Sequence, residues 1–488
     1  MSEAVRSLSP SSVWNHFADL NAVPRPSKKE ERVIKFMVDF GHSLGLSTEV
    51  DHIGNVFIRK PASPGMEGRT PVVLQAHLDM VHQKNNGTDF DFDTEGIRMS
   101  VDGDWVKADG TTLGADNGIG VAFIMAILSS TDIAHPAIDA LFTIDEETGM
   151  TGALELKGGM LNGKILLNID TEDDDELTIG CAGGIDVTAT AAVPMVAAPA
   201  GVKALALSVK GLNGGHSGMD IHKGLGNANK LMNRILDRLG ANVQLSALNG
   251  GGLRNAIPRE SNAMVVFDAA IESNVVATLE AVSAEITAEH RTTDAGAQVL
   301  WTETAVPAEI VSADFKEALI SAIYSCPNGI YRMSPDIEGL VQTSNNLARV
   351  AIENGQLVIM CLTRSAVESE KMDLARAIER NFAQIGCSVE LSGNYPGWTP
   401  NPSSAILTTM RDLYVEMFKE QPHVAACHAG LECGILGTNY PEMELISFGP
   451  NIRGAHSPDE KCQISSVQKS WDFFLRTLEN IPTVQDHV

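Results

Sequence analysis

Apolar residues recur at two different periods along this chain, and the switches between them mark out its elements. Over residues 28–45, Val33, Phe36, Met37, Phe40 and Leu44 fall at helical spacing on a charged background, and the strand-like run Val56-Phe57-Ile58 follows. Three runs, residues 71–76, 138–144 and 164–169, read as buried parallel strands. Between the first two, the glycine-rich stretch 110–120 leads into the apolar helical run 121–128, which places Asp116 near a helix N-terminus.

The pattern changes near residue 186. An Ala/Val/Pro-rich stretch over 188–202 reads as an edge strand and a connection out of the first domain. Strands over 205–209, 263–267 and 357–362 then alternate with helices over 224–239, 273–288 and 371–386, an α+β insert with helices on one sheet face. After a turn-rich hinge at 393–398, a helix over 403–418, a strand over 444–448 and a helix over 465–480 resume the first texture. The expected fold class is α/β: a mostly parallel mixed sheet flanked by helices, built from residues 1–186 and 394–488 and interrupted by an α+β domain at 187–393.

Composition narrows the class. A chain of 488 residues with 44% hydrophobic and 20% charged positions has an ordinary globular balance and room for two or three domains. Its net charge of −26, with Lys and Arg scattered, argues against nucleic acid or an anionic membrane as partner. No apolar run approaches a membrane span, and the first residues lack a basic, apolar leader, so the expected location is cytoplasmic. The seven cysteines show no CxxC spacing and read as reduced core thiols.

The chemistry sits where strands end. His77 and Asp79 close the first buried run, Glu146 and Glu147 follow the second, and Asp170 closes the third. Asp116 opens the glycine-led helix, and His456 lies far downstream. In His77-Leu78-Asp79 an extended backbone puts both side chains on one side, so Asp79 can orient the imidazole. Of two adjacent glutamates, one can bind metal while the other takes a proton from water. Two histidines with several carboxylates suit Zn²⁺, Mn²⁺ or Co²⁺, and a bridging carboxylate holds two such ions together. The later members of the acidic run 170–176 read as a solvated loop.

Longer motifs surround these residues: His77-Leu78-Asp79-Met80-Val81, Gly114-Ala115-Asp116-Asn117-Gly118, Glu146-Glu147-Thr148-Gly149-Met150, Asn168-Ile169-Asp170-Thr171, His428-Ala429-Gly430-Leu431-Glu432-Cys433-Gly434 and His456-Ser457-Pro458-Asp459-Glu460. In this order they resemble the M20 metallopeptidases, and among these the dipeptidase branch. Two departures stand out: Asp145, where the resembling dipeptidases usually carry Thr, makes three acids in a row, and His82 replaces a frequent Pro.

The resemblance implies that Asp116 bridges two divalent ions, zinc before cobalt or manganese. His77 and Asp170 would complete one site, and Glu147 and His456 the other. Asp79 would support His77, and Glu146 would be the general base. It further implies that the insert is a lid whose His216, Asn255, Arg364 and Gly430 bind substrate, His216 at the oxyanion and Arg364 at a terminal carboxylate. The implied activity is hydrolysis of Xaa-His and other unblocked dipeptides, β-Ala-His included. The alternative is a related amidohydrolase acting on N-acyl amino acids. The implied partners are small dipeptides and a second copy of the chain, as a homodimer.

Overall fold

The computed structural model describes residues 3–483, so the ends of the expected catalytic domain, 1–2 and 484–488, lie outside the described residues. The chain forms two compact units. The first combines residues 1–180, 398–426 and 431–488, and the second residues 181–397 with the short return 427–430. These divisions fall a few residues from the expected joins at 186/187 and 393/394. The cause is the Gly183–Ala192 strand, whose first residues already pair with the Gln356–Ser365 strand of the insert, Gly183 opposite Ser365.

In the first unit the strands Ile138–Thr143, Val72–His77, Ile165–Asn168 and Glu444–Ser447 lie side by side and parallel. The first three are buried at every residue, as central parallel strands covered on both faces are. Antiparallel strands flank this centre: Val56–Lys60 beside Ile138–Thr143, and Glu176–Cys181 beside Glu444–Ser447. The parallel character is therefore concentrated in the middle, where the strand ends converge.

The Ala115–Ser129 helix packs on this centre and buries nearly all of its residues, which explains a sequence that is apolar on every face. Phe123 meets Trp471 and Phe474 of the Ile464–Glu479 helix, with ring centroids 5.3 and 6.0 Å away. Gly120 permits the close approach, because a Cβ there would collide with the carbonyl oxygen of Ile169.

The second unit is an antiparallel sheet of nine strands backed by four helices, Ala228–Leu239, Glu272–Glu289, Ala313–Ser325 and Glu368–Ala383. One core joins them, with Met232, Leu279, Ile320 and Ile378 packed against Leu207, Val265, Leu347 and Ile359. The helix expected to begin at 224 begins at Ala228, because the Asn227 side chain accepts from the amides of Asn229 and Lys230 at 3.0 and 3.2 Å and caps it there. Apolar periodicity did not disclose the Val341–Glu353 strand, buried along most of its length, whose first part, after Val341, is Gln-Thr-Ser-Asn-Asn. Hydrogen bonds satisfy that polar stretch instead: Thr343 to Ser365, Asn345 to the Pro327 carbonyl, and Asn346 to the carbonyls of Arg254 and Ala256. Among the described residues no helix is long and apolar enough to cross a membrane.

Candidate metal centre and substrate residues

Four of the central elements end at one place. His77, the last residue of its strand and 1% exposed, brings Nε2 to 3.1 Å from Asp116 Oδ1 and 3.6 Å from Asp170 Oδ1. His456 brings Nε2 to 3.3 Å from Asp116 Oδ2 and 3.0 Å from Glu147 Oε2. Asp116 thus turns one oxygen to each histidine. The potential ligand atoms of His77, Asp116 and Asp170, and separately of Asp116, Glu147 and His456, lie within 4.8 Å of one another. A third group unites His77, Glu146 and Glu147. Oε1 of Glu147 is buried without a hydrogen-bond partner among the described residues, an acceptor that a cation would satisfy. Nitrogen and carboxylate donors in this mixture fit first-row divalent ions.

The surrounding chain fixes these side chains. Asp79 lies 3.4 Å from His77 Nδ1 and accepts from the Ser27 hydroxyl at 2.8 Å. It also accepts from the amides of Glu146 at 3.0 Å and Glu147 at 3.3 Å, so one carboxylate sets both the imidazole and the turn carrying the two glutamates. Asn117 accepts from the His77 amide at 3.2 Å and donates to the Ile169 carbonyl.

Two residues without a sequence-derived role grip the turn before Asp116. Glu460, 2% exposed, accepts from four successive amides, Leu113 to Asp116, at 2.7, 2.9, 2.8 and 3.2 Å. Arg25 donates to the carbonyls of Gly114 at 2.6 Å, Leu78 at 3.0 Å and Asp79 at 3.1 Å. Gly114 sits at φ 70°, and a side chain there would strike this guanidinium. Glu460 lay inside a quoted motif, yet only its four-amide cradle reveals its use. Arg25 carried no local signal beyond its neighbouring prolines.

Burial drives the electrostatics. It pushes the Glu146 and Asp170 carboxyls well above the usual range, against the nearby His77, and raises Glu147 as well. Burial opposes the charge on Asp116 too, but hydrogen bonds with His456 and His77 hold it below the usual carboxylate range. Asp116 and Glu147 push His456 up to about 11. Metal and protons therefore compete for the same atoms.

The acidic run after Asp170 is not a solvated loop throughout. Glu172 is half-buried, with its carboxyl pushed by burial and by Asp116 up to about 8. Asp173 pairs with Arg453 and Asp174 with Lys469, which a net charge count could not show. Asp145, the third consecutive acid, is also accounted for: it is 2% exposed and held by Lys28, Thr148 and Thr151.

The second unit collects its own polar groups. The short strands Gly215–His216 and Ala256–Ile257 pair, with His216 opposite Ala256. The Ser217 amide donates to the Asn255 carbonyl at 2.7 Å, and Arg364 donates to the Ser217 hydroxyl at 3.3 Å. His216, Asn255 and Arg364 are thereby drawn into one neighbourhood, with Asn255 exposed and Arg364 only 4% exposed. Gly430 lies in the returning segment 427–430 of the same unit. His216 Nδ1 accepts from the amides of Gly218 and Met219 at 3.2 and 3.0 Å, so the proton of the neutral ring belongs on Nε2. Arg364 also donates to the Tyr395 hydroxyl at 2.8 Å. His428, unassigned from sequence, is 7% exposed and lies 2.8 Å from the Ser344 hydroxyl. Burial, with Arg364 and His216 nearby, lowers it to about 3.

Known proteins resemble the whole chain. The profile of peptidase family M20/M25/M40 matches residues 73–480. The cytosol non-specific dipeptidase of Escherichia coli (strain K12) is 42% identical over 478 residues, covering 97% of this chain and 98% of that protein. The crystal structure of aminoacylhistidine dipeptidase from Vibrio alginolyticus matches with a TM-score of 0.92 at 42% identity, over 99% of this chain and 100% of that one. An aminopeptidase structure from Bacillus cereus, with a TM-score of 0.57 at 14% identity over 97% and 99% of the two chains, shares the fold. With similarity along its full length and strand-end histidines and acids gathered at one centre, the chain belongs to peptidase family M20/M25/M40 and is a hydrolase acting on peptide bonds.

Proposed function

We propose that the protein is a cytoplasmic dipeptidase of two divalent metal ions, zinc before cobalt or manganese, that hydrolyses Xaa-His and other unblocked dipeptides, β-Ala-His among them. The observation that carries this reading is Asp116, which offers one oxygen to the His77–Asp170 group and the other to the Glu147–His456 group. The resemblance to two proteins named as dipeptidases supports the substrate class.

The bound ions would acidify a water molecule and polarise the peptide carbonyl. Glu146, grouped with His77 and Glu147, takes the proton from that water. The hydroxide so formed adds to the peptide carbonyl carbon, and the same carboxyl returns the proton to the amine nitrogen as the C–N bond breaks. Asp79 holds the His77 ring and the Glu146–Glu147 turn in register throughout. His216, with its proton on Nε2, donates to the developing oxyanion. Arg364 holds the terminal carboxylate, with Asn255 and Gly430 on the backbone of the C-terminal residue. The expected assembly is a homodimer, which light scattering reads directly.

The test compares β-Ala-His, Gly-His and N-acetyl-His as substrates of protein with its metal content measured before and after chelation. The expected result is about two ions per chain, hydrolysis of the two free dipeptides, and loss of activity on chelation. In Glu146→Ala, kcat should fall by about 10²- to 10⁴-fold with the metal content kept. Intact β-Ala-His and Gly-His, or full activity in Glu146→Ala, would overturn the proposal.

A further inference from the structure

A row of uncharged polar side chains crosses the three central strands just before they reach the metal centre. Gln75, Thr143 and Asn168 are each at most 1% exposed, in a part of the sheet where apolar residues would pack as well. Their positions are systematic. Gln75 precedes His77 by two residues, Asn168 precedes Asp170 by two, and Thr143 precedes Glu146 by three. Register aligns them, with Gln75 opposite Asn168 and His77 opposite Thr143. Alternate residues of a strand share a face, so Gln75 leaves the sheet on the same side as His77.

The row has a direction. Asn168 Nδ2 donates to Gln75 Oε1 at 2.6 Å, and Gln75 Nε2 donates to Glu432 Oε2 at 2.6 Å. The Thr143 hydroxyl also donates to Glu432 Oε2, at 2.7 Å, and Gln75 Nε2 lies 3.1 Å from the Thr143 oxygen. Glu432 is the acceptor on which the chain of donors ends. Without it, Gln75 and Asn168 lose the reference that fixes which end of each amide points where.

Glu432 is itself an expensive group to place there. It is 1% exposed at the start of the Glu432–Asn439 helix, and its Oε1 has no hydrogen-bond partner among the described residues. Burial pushes its carboxyl up to about 7. A buried carboxyl with one empty oxygen is costly unless the other oxygen does something that a neutral packing residue cannot.

We infer that Glu432 is a positioning residue of the metal centre: by accepting from Gln75 and Thr143 through one oxygen, it locks the strand ends that carry His77, Asp170 and the Glu146–Glu147 turn. The inference rests on the two-metal reading given above. It makes Glu432 act through its neighbours, without touching an ion or the substrate.

The experiment measures metal affinity by competition with a chromophoric chelator, and the visible spectrum of the cobalt-loaded protein, in wild type, Glu432→Ala, Glu432→Gln and Thr143→Val. A glutamine keeps one oxygen to accept from both donors, so Glu432→Gln should stay within about threefold of wild type in affinity and keep its cobalt spectrum. Glu432→Ala should lose about 10- to 100-fold in affinity for at least one ion, with an altered spectrum, as loss of an orienting partner usually does. Thr143→Val, nearly isosteric, removes one of the two donors and should lose about threefold to tenfold while folding normally, which keeps the test alive if the alanine variant does not fold. Wild-type affinity in Glu432→Ala or in Thr143→Val, or a loss in Glu432→Gln as large as in Glu432→Ala, would overturn the inference. Failure of the wild-type protein to bind two ions would instead overturn the metal reading itself.

Discussion

The two gathered sites are of opposite sign, acids in the first unit and a buried guanidinium in the second, and each sign points to a different ligand. In the first, Asp79, Asp116, Glu147 and Asp170 crowd two histidines, with Arg25 held back against backbone carbonyls. Acids packed this closely repel one another unless protons or cations are present. In the second, Arg364 is buried near His216 and His428, and its nearest hydrogen-bond partners are hydroxyls of Ser217 and Tyr395. The nearby Asp186 carboxylate is already paired with Arg254 at 3.1 Å, and the planar fork of Arg364 suits an anion. The acidic centre suits metal chemistry, and the basic one suits a carboxylate end of a substrate.

Breaking the acidic side at its support should give the largest effect. Glu460→Ala strips the acceptor from four amides beside Asp116. We expect at least about 3 kcal/mol lower stability, on the scale of hydrogen bonds to a charged group, and incomplete metal loading. Urea unfolding and metal analysis of the same sample check both. Arg364→Lys sharpens the basic side, because it keeps the charge and removes the planar fork. KM for dipeptides should rise about 10- to 100-fold with metal content unchanged, as steady-state kinetics beside metal analysis will show.

The smallest effect concerns His428. Its folded pKa of about 3 lies below its ordinary 6.5, so the unfolded chain binds the proton first as pH falls. This group's contribution to stability is full above pH 6.5 and is lost between 6.5 and about 3. His428→Asn should flatten the decline of the urea midpoint across that window relative to wild type. An unchanged slope would remove His428 as its source.

The same contrast explains what the sequence made legible. His77, Glu146, Glu147 and Asp170 each follow a buried apolar run, and parallel strands must end together, so strand-reading alone brought them to one edge of the sheet. His216, Asn255 and Arg364 come from two short paired strands distant in sequence and a third strand, with no shared period, and resemblance alone singled them out. Arg25 escaped both routes, and Glu460 and His428 entered only as members of motifs, without a role. Their roles lie in hydrogen bonds to backbone or hydroxyl groups, and neither apolar period nor local charge records such partners. The Val341–Glu353 strand was hidden for the same reason, because its buried residues Gln342 to Asn346 are polar and bonded to side chains and carbonyls.

The Glu460 cradle also dictates an order of events during synthesis. Glu460 leaves the ribosome 347 residues after Leu113, the first amide it receives. By then every strand of the second unit's large sheet, from Gly183 to Tyr395, has been made. The inserted unit can therefore complete its sheet while the Leu113–Asp116 turn still lacks its acceptor. A chain that ends before Glu460 can hold a complete second-unit sheet while the turn beside Asp116 still lacks its support.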